Sequence, residues 1–133
     1  MNSGQWSFVA NADISPSRFV QVYGGPHQVK QCAAGGPAFG VSHEGTVDPP
    51  IPLVSTALAA KQGESVMVYG PGDTCEIECG AAISLATGPV YLKADAQGRA
   101  IPAVATDKYY AEAVSETSAA GEKVKAIIVR GVA

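Results

Sequence analysis

Residues 65–79 read SVMVYGPGDTCEIEC and contain two short strand patterns on either side of a glycine- and proline-rich turn. In the second pattern, Cys75, Ile77 and Cys79 alternate with two glutamates. Successive side chains of a strand point to opposite faces of a sheet, so one face here is apolar and the other is charged. The intervening GPGD of residues 70–73 predicts a hairpin turn. The stretch predicts an antiparallel sheet with one buried face.

Short strand patterns separated by turns recur along the chain. They cover residues 20–23, 28–32, 38–42, 90–94, 99–104, 109–114 and 123–129. Residues 95–98, DAQG, place Asp first and Gly fourth, as a type I turn favours. Residues 54–62 contain a run of helix-forming residues. We therefore expect a mainly β fold, a single small antiparallel sandwich or barrel-like domain with at most one or two short helices.

The composition supports this fold class. The chain has 133 residues, of which 47% are hydrophobic, a proportion typical of a globular domain rather than a disordered one. Charged residues make up only 16%, against roughly 25% in an average soluble domain. Fifteen glycines and nine prolines add many turn-forming positions. A helical bundle is a poor fit to these values.

The sequence contains a weak internal similarity. Residues 20–23 resemble residues 90–93, and residues 40–43 resemble residues 113–116. Both copies end with a Gly-Glu pair and a closing strand, and the first copy carries an insertion across residues 44–60. Chance similarity between two glycine-rich β segments is the alternative explanation. The shared order of elements favours a degenerate duplication. The paired closing segments are residues 62–66 and 120–124.

These observations predict the domain organisation. We expect an N-terminal arm over residues 1–17 and a β domain over residues 18–133. Within the β domain, the pseudo-repeats cover approximately residues 18–72 and 89–133.

Charge and hydropathy exclude several classes of partner. Nine basic residues are scattered among twelve acidic ones, giving a net charge of −3, so no basic patch for nucleic acid is expected. No apolar run is long enough to span a membrane. The N-terminal sequence lacks a signal-peptide pattern, and three cysteines are an odd number, so we expect synthesis in a cytoplasm with reduced thiols.

No constellation in the sequence predicts a catalytic, cofactor-binding or metal site. Cys75 and Cys79 lie four residues apart on a strand, roughly 13 Å, too far for one tetrahedral zinc ion. Neither His27 nor His43 has a partner at a spacing typical of a metal site or a catalytic triad. We expect that the protein is not an enzyme and needs no cofactor.

The first 60 residues carry five charged side chains, whereas the remaining 73 carry sixteen. So little charge predicts that part of this segment is covered by the domain itself or by a partner. Two interpretations remain open for Trp6 and Phe8: they begin the first strand, or they anchor an arm onto a partner. The proline-rich residues 47–53 are either a loop brace or a docking surface. The interface candidates are Trp6, Phe8, Ile51 and Leu53.

The second half of the chain resembles a known family. Residues 80–83, GAAI, residues 90–100, VYLKADAQGRA, and residues 119–126, AAGEKVKA, resemble segments of the capsid decoration, or cement, proteins of tailed bacteriophages. The resemblance implies a non-enzymatic, mostly β virion protein that binds the major capsid protein on the outer surface of an assembled head and stabilises it, often as a homotrimer. It transfers no individual functional residues, because the function of these proteins lies in surfaces.

Two other classes of function compete with this one. A tail or fibre accessory module that binds carbohydrate or another virion protein would have the same β composition, and clustered exposed aromatic residues would favour it. A small enzyme or cupin-like barrel needs histidines and carboxylates grouped on neighbouring strands, which the two histidines do not provide.

Overall fold

A computed structural model describes residues 5–43, 60, 62–86, 88–104 and 106–132 of the protein, with side chains from Phe8 onward. The described residues contain twelve short β-strands. In chain order they are β1 (Gln5–Ala10), β2 (Phe19–Val22), β3 (Gln28–Gln31), β4 (Gly40–Ser42), β5 (Ser65–Tyr69), β6 (Thr74–Glu78), β7 (Tyr91–Ala94), β8 (Ala100–Pro102), β9 (Lys108–Tyr109), β10 (Ala111–Ala113), β11 (Lys123–Ile127) and β12 (Gly131–Val132). The mainly β fold predicted from the sequence is confirmed. In the part of the chain described, no helix is long and apolar enough to cross a membrane. The helix-forming run of residues 54–62 falls largely outside the described residues.

The first five strands form a closed barrel in the order β1-β3-β2-β4-β5. Four of the pairings are antiparallel, and β1 closes the barrel by pairing with β5 on one side and in parallel with β3 on the other. Apolar residues alternate along β5, where Val66 and Val68 are buried and Met67 is exposed. This alternation gives the barrel an apolar interior and a solvent-facing exterior.

The second sheet repeats the pairing of the first, in the order β6-β11-β10-β7-β8. Each neighbouring pair is antiparallel, as in the matching part of the first barrel. The edges β6 and β8 meet only beyond the end of β6, where Cys79 forms a parallel bridge with Ala100. The strands β9 and β12 form a separate two-stranded ribbon. The second half is therefore a barrel of the same design with an open seam.

The registers show which residues are equivalent in the two barrels. Val20 pairs with a residue of β3 and with Gly40 of β4, just as Leu92 pairs with a residue of β8 and with Ala111 of β10. Val20 is thus equivalent to Leu92, two residues later than the sequence similarity placed it. In the closing strands, Val66 and Val124 occupy equivalent positions, as the match of residues 62–66 with 120–124 predicted.

Two sequence predictions are corrected by these pairings. The arm assigned to residues 1–17 contains β1, which is a barrel strand over its whole length, and Ile14, which is fully buried. The turn at residues 70–73 does not make a hairpin, since β5 pairs with β1 and β4 whereas β6 pairs with β11. That turn instead connects the last strand of one barrel to the first strand of the next. Each repeat therefore begins one strand earlier than the sequence similarity indicated.

Two buried clusters fill the interior. The smaller lies inside the first barrel and contains Phe8, Ala10, Ile14, Val20, Val29, Ala60, Val66 and Val68. The larger is built mainly by the second barrel but includes Phe19 and Val41, which pair across β2 and β4 of the first barrel. Both side chains are fully buried. One side of the first barrel is therefore packed into the core of the second.

The segment from Ser17 to Phe19 links the two open edges of the second barrel. The Glu78 amide of β6 donates to the Ser17 carbonyl at 2.9 Å, and the Phe19 amide donates to the Gly98 carbonyl next to β8 at 2.8 Å. The Arg18 guanidinium adds an ion pair to the Glu78 carboxylate at 3.1 Å. Gly98 has a φ of 75°, and a Cβ there would lie 3.0 Å from the Phe19 carbonyl oxygen, so glycine allows the two chains to approach this closely.

Replacing Phe19→Ala should lower the free energy of unfolding by about 3–5 kcal/mol, because it removes a fully buried ring from the core that the barrels share. The exposed Tyr23→Ala is the matched control and should change it by about 0.5 kcal/mol or less. Urea unfolding followed by circular dichroism measures both. A Phe19→Ala protein as stable as the wild type would show that the ring does not hold the barrels together.

Candidate interaction surfaces

The structure describes two of the four residues that are predicted to form an interface. Phe8 lies inside the first barrel with only 6% of its surface exposed, and its ring packs edge-on against Phe39 at 5.4 Å between centroids. Phe8 is therefore a core residue and not an interface residue. The backbone of Trp6 belongs to β1, opposite Val68, while its side chain lies outside the described part. Ile51 and Leu53 also lie outside the described residues.

The three cysteines are buried and not bonded to one another. Burial raises the pKa of the Cys32 thiol to about 12, against the attraction of nearby Lys30. Burial likewise raises the pKa of the Cys79 thiol. A thiol that stays protonated at neutral pH is a poor nucleophile and a poor metal ligand. The cysteines therefore act as small core residues.

The ionisable side chains serve local structure. Within the described residues, no group of three or more His, Cys, Asp or Glu side chains is placed to hold a metal ion. The ring of His43 stacks on Tyr69 at 6.1 Å. The Lys93 ammonium donates to the Asp107 carboxylate at 2.7 Å and lowers the pKa of that carboxyl. Hydrogen bonds from the Ser118 amide and hydroxyl lower the pKa of the Glu122 carboxyl.

A groove lies where the loop between β3 and β4 meets the β9–β12 ribbon. Its volume is about 420 Å³, and Tyr109 and Tyr110 line it together with Lys108 and Arg130. The Tyr109 ring stacks on Tyr91 with 4.2 Å between centroids. The remaining lining residues are Pro37, Ala38, Gly131 and Val132. An open groove with tyrosine rings and two cations has the character of a ligand-binding surface rather than of a catalytic pocket.

Sequence inspection missed this groove. The pair Tyr109-Tyr110 was assigned to a strand, and nothing local indicated that the last strand would return to pair with β9. The signal present in the sequence was the consecutive pair Tyr109-Tyr110, and the tertiary structure adds Tyr91, which stacks on Tyr109.

Comparison with known proteins shows a similarity of fold. No family model matches the sequence, and no curated protein matches it significantly. A solved structure, the N base of the head fibre protein gp8.5 of bacteriophage phi29, superposes with a TM-score of 0.57 over 94% of this chain and 92% of that one, at 17% sequence identity. The chain has a fold similar to that of a phage head fibre base.

The burial of the Cys32 thiol leads us to expect that the stability of the protein depends on pH in the alkaline range. A folded-state pKa above the unfolded value of 9.0 means that Cys32 stabilises the protein fully below pH 9 and that this contribution is lost as pH rises toward about 12. Stability should therefore fall over that range more steeply in the wild type than in Cys32→Ala, as measured by urea unfolding at each pH. The same dependence in both proteins would contradict the assignment.

Proposed function

We propose that the protein is a structural component of a bacteriophage virion that binds the outer surface of the assembled head and stabilises it. The observation that carries the proposal is the fold similarity to the phi29 head fibre base, which covers nearly the whole of both chains. A similarity of this extent covers both barrels rather than a single shared motif. The resemblance of residues 80–83, 90–100 and 119–126 to capsid decoration proteins supports the same class.

The surface chemistry agrees with a binding protein. Five of the groups that could carry out catalysis serve the structure: the three thiols are buried in the core, and the carboxylates of Asp107 and Glu122 accept hydrogen bonds from their neighbours. We therefore propose a non-enzymatic protein without a cofactor. Its partners would be the major capsid protein and further copies of itself. The resemblance to decoration proteins, which are often homotrimers, implies both. Nucleic acid and membrane are not proposed as partners.

Stabilisation of a head by such a protein would depend on many copies of a small interface. Each copy contributes a modest binding energy, and the symmetric lattice repeats it over the whole shell. A rigid double barrel suits this role, because little conformational entropy is lost when it binds.

Purified protein added to heads assembled without it should bind in regular positions and raise the temperature at which the heads release DNA. Cryo-electron microscopy of the mixture and a thermal release assay measure these outcomes. Heads that remain bare at saturating protein would refute head binding.

The apolar residues of the proline-rich segment give a sharper version of this experiment. Ile51→Ser with Leu53→Ser should weaken head binding by at least about a hundredfold, if burial of the two side chains contributes about 1.5–3 kcal/mol each. Val104→Ser with Val114→Ser, two exposed valines of the second half, is the matched control and should leave binding unchanged. Equal binding by both variants would remove residues 47–53 from the interface.

The tyrosine groove supports a second candidate, a fibre module that binds carbohydrate. Tyr109 and Tyr110 give the groove an aromatic lining of the kind that sugar rings pack against, and Lys108 and Arg130 would favour an acidic sugar. A glycan array should then show binding that Tyr109→Ala abolishes and that the control Tyr23→Ala retains. An array without a hit above background would leave head binding as the proposed function.

A further inference from the structure

The tyrosine groove takes its lining from both barrels. The loop between β3 and β4 supplies Pro37 and Ala38, and Ala38 is buried in the core that the second barrel mainly builds. The β9–β12 ribbon and the residues next to it supply the rest of the lining, and Tyr110 packs against the same core. Because packed residues hold both parts of the lining, the groove is formed before any ligand binds.

Two neighbours fix the position of the Tyr109 ring. Tyr91 stacks on it with 4.2 Å between the ring centroids. Gly131 is its partner across the ribbon, and a Cβ at Gly131 would overlap the Tyr109 hydroxyl oxygen and lie 2.5 Å from the ring carbon Cζ. The backbone of Gly131 is not left-handed, so glycine is required there for space and not for its conformation. Any side chain at position 131 therefore has to push the Tyr109 ring off Tyr91.

The groove carries positive charge in an acidic protein. Among the described residues that line it, Lys108 and Arg130 are cations and none is acidic, although the chain has a net charge of −3. The neighbouring Asp107 carboxylate accepts from the Lys93 ammonium at 2.7 Å. The ion pairs between described residues do not involve Lys108 or Arg130. This charge therefore favours an anionic ligand.

The Arg130 side chain reaches from the ribbon to the loop. Its guanidinium carbon lies 5.9 Å from the centroid of the Phe39 ring, and Phe39 directly follows Ala38 of the lining. A cation–π contact of this kind restrains a guanidinium and leaves its N–H groups able to donate to a carboxylate. Arg130 is therefore the cation whose position suits it to bind an acid group in the groove.

We propose that the tyrosine groove binds a sugar ring that carries an acid group, with Arg130 binding the acid and Gly131 acting as the positioning residue for Tyr109. The proposal rests on the carbohydrate-binding candidate function and adds the roles of these two residues. Tyrosine offers an apolar ring and a hydroxyl, which match the apolar face and the hydroxyl edge of a sugar. A simple carboxylate would use the cations alone, and a neutral sugar would use the tyrosines alone.

The test compares sugars that differ only in the acid group. A glycan array presents each acidic glycan beside its neutral parent, such as glucuronic acid beside glucose and galacturonic acid beside galactose. The wild-type protein should bind at least one acidic glycan about tenfold or more above its parent, because a hydrogen bond to a charged group is stronger than one to a neutral group. Binding of that glycan should weaken as salt is raised.

Arg130→Gln should reduce binding of the acidic glycan to the level of its neutral parent and remove most of the salt dependence. Lys125→Gln removes the same charge from an exposed position of β11 and is the matched control. It should keep the preference of the wild type. Arg130 is exposed, so this variant remains decisive if a change at Gly131 prevents folding.

Gly131→Ala should weaken binding of the acidic glycan by about tenfold and keep its salt dependence, because the variant displaces Tyr109 and retains Arg130. Gly63→Ala is the control for a loss of stability alone. Gly63 has a φ of 87° and open space around it, so an alanine strains the backbone without contacting the groove. This control should bind like the wild type. Circular dichroism and thermal unfolding verify that each variant is folded.

The outcomes separate this proposal from the function on which it rests. An array without a hit overturns carbohydrate binding and the proposal together. Hits that do not favour the acidic member, or that survive Arg130→Gln, keep carbohydrate binding and overturn the acid site. Citrate that displaces the glycan at equal concentration would show a site for any carboxylate and overturn it as well. A Gly131→Ala protein that binds like the wild type overturns the role of Gly131. Head binding is scored separately.

Discussion

The packing of Phe19 between the two barrels is the interaction on which the rest of the structure depends. The second barrel is open between β6 and β8, and an open edge with unpaired amides is a liability in water. The segment Ser17–Phe19 satisfies an amide of β6 with the Ser17 carbonyl and places the Phe19 ring in the core behind it. Ser17 adopts a left-handed backbone with a φ of 57° and is fully buried, a conformation that persists only because its neighbours hold it on both sides.

The two halves of the described chain share one strand order and differ in how they close. The same five-strand pairing occurs twice, yet the first barrel closes through parallel pairing of β1 with β3 and the second keeps its seam for the first barrel to enter. On the strand pairs β1–β5 and β6–β11, the equivalent outer positions carry serine, valine and methionine in the first barrel and glutamate and lysine in the second.

The local sequence was sufficient to predict strands and turns, but not to predict which strands pair with each other. The alternation of Cys75, Ile77 and Cys79 correctly predicted a strand with one buried face, and the DAQG turn formed where Asp and Gly predicted it. The sequence predicts an arm where β1 lies, because the pairing partners of β1, which are β3 and β5, lie further along the chain and leave no local signal. For the same reason the GPGD turn indicated a hairpin, although it connects two barrels.

The claim that the barrels form one cooperative unit through the Phe19 segment is tested most directly by native-state hydrogen exchange with increasing denaturant. If the claim is right, the slowest amides of β5 in the first barrel and of β11 in the second exchange with the same free energy, that of global unfolding. Amides of β5 that exchange through a separate opening of clearly lower free energy, while those of β11 stay protected, would contradict it.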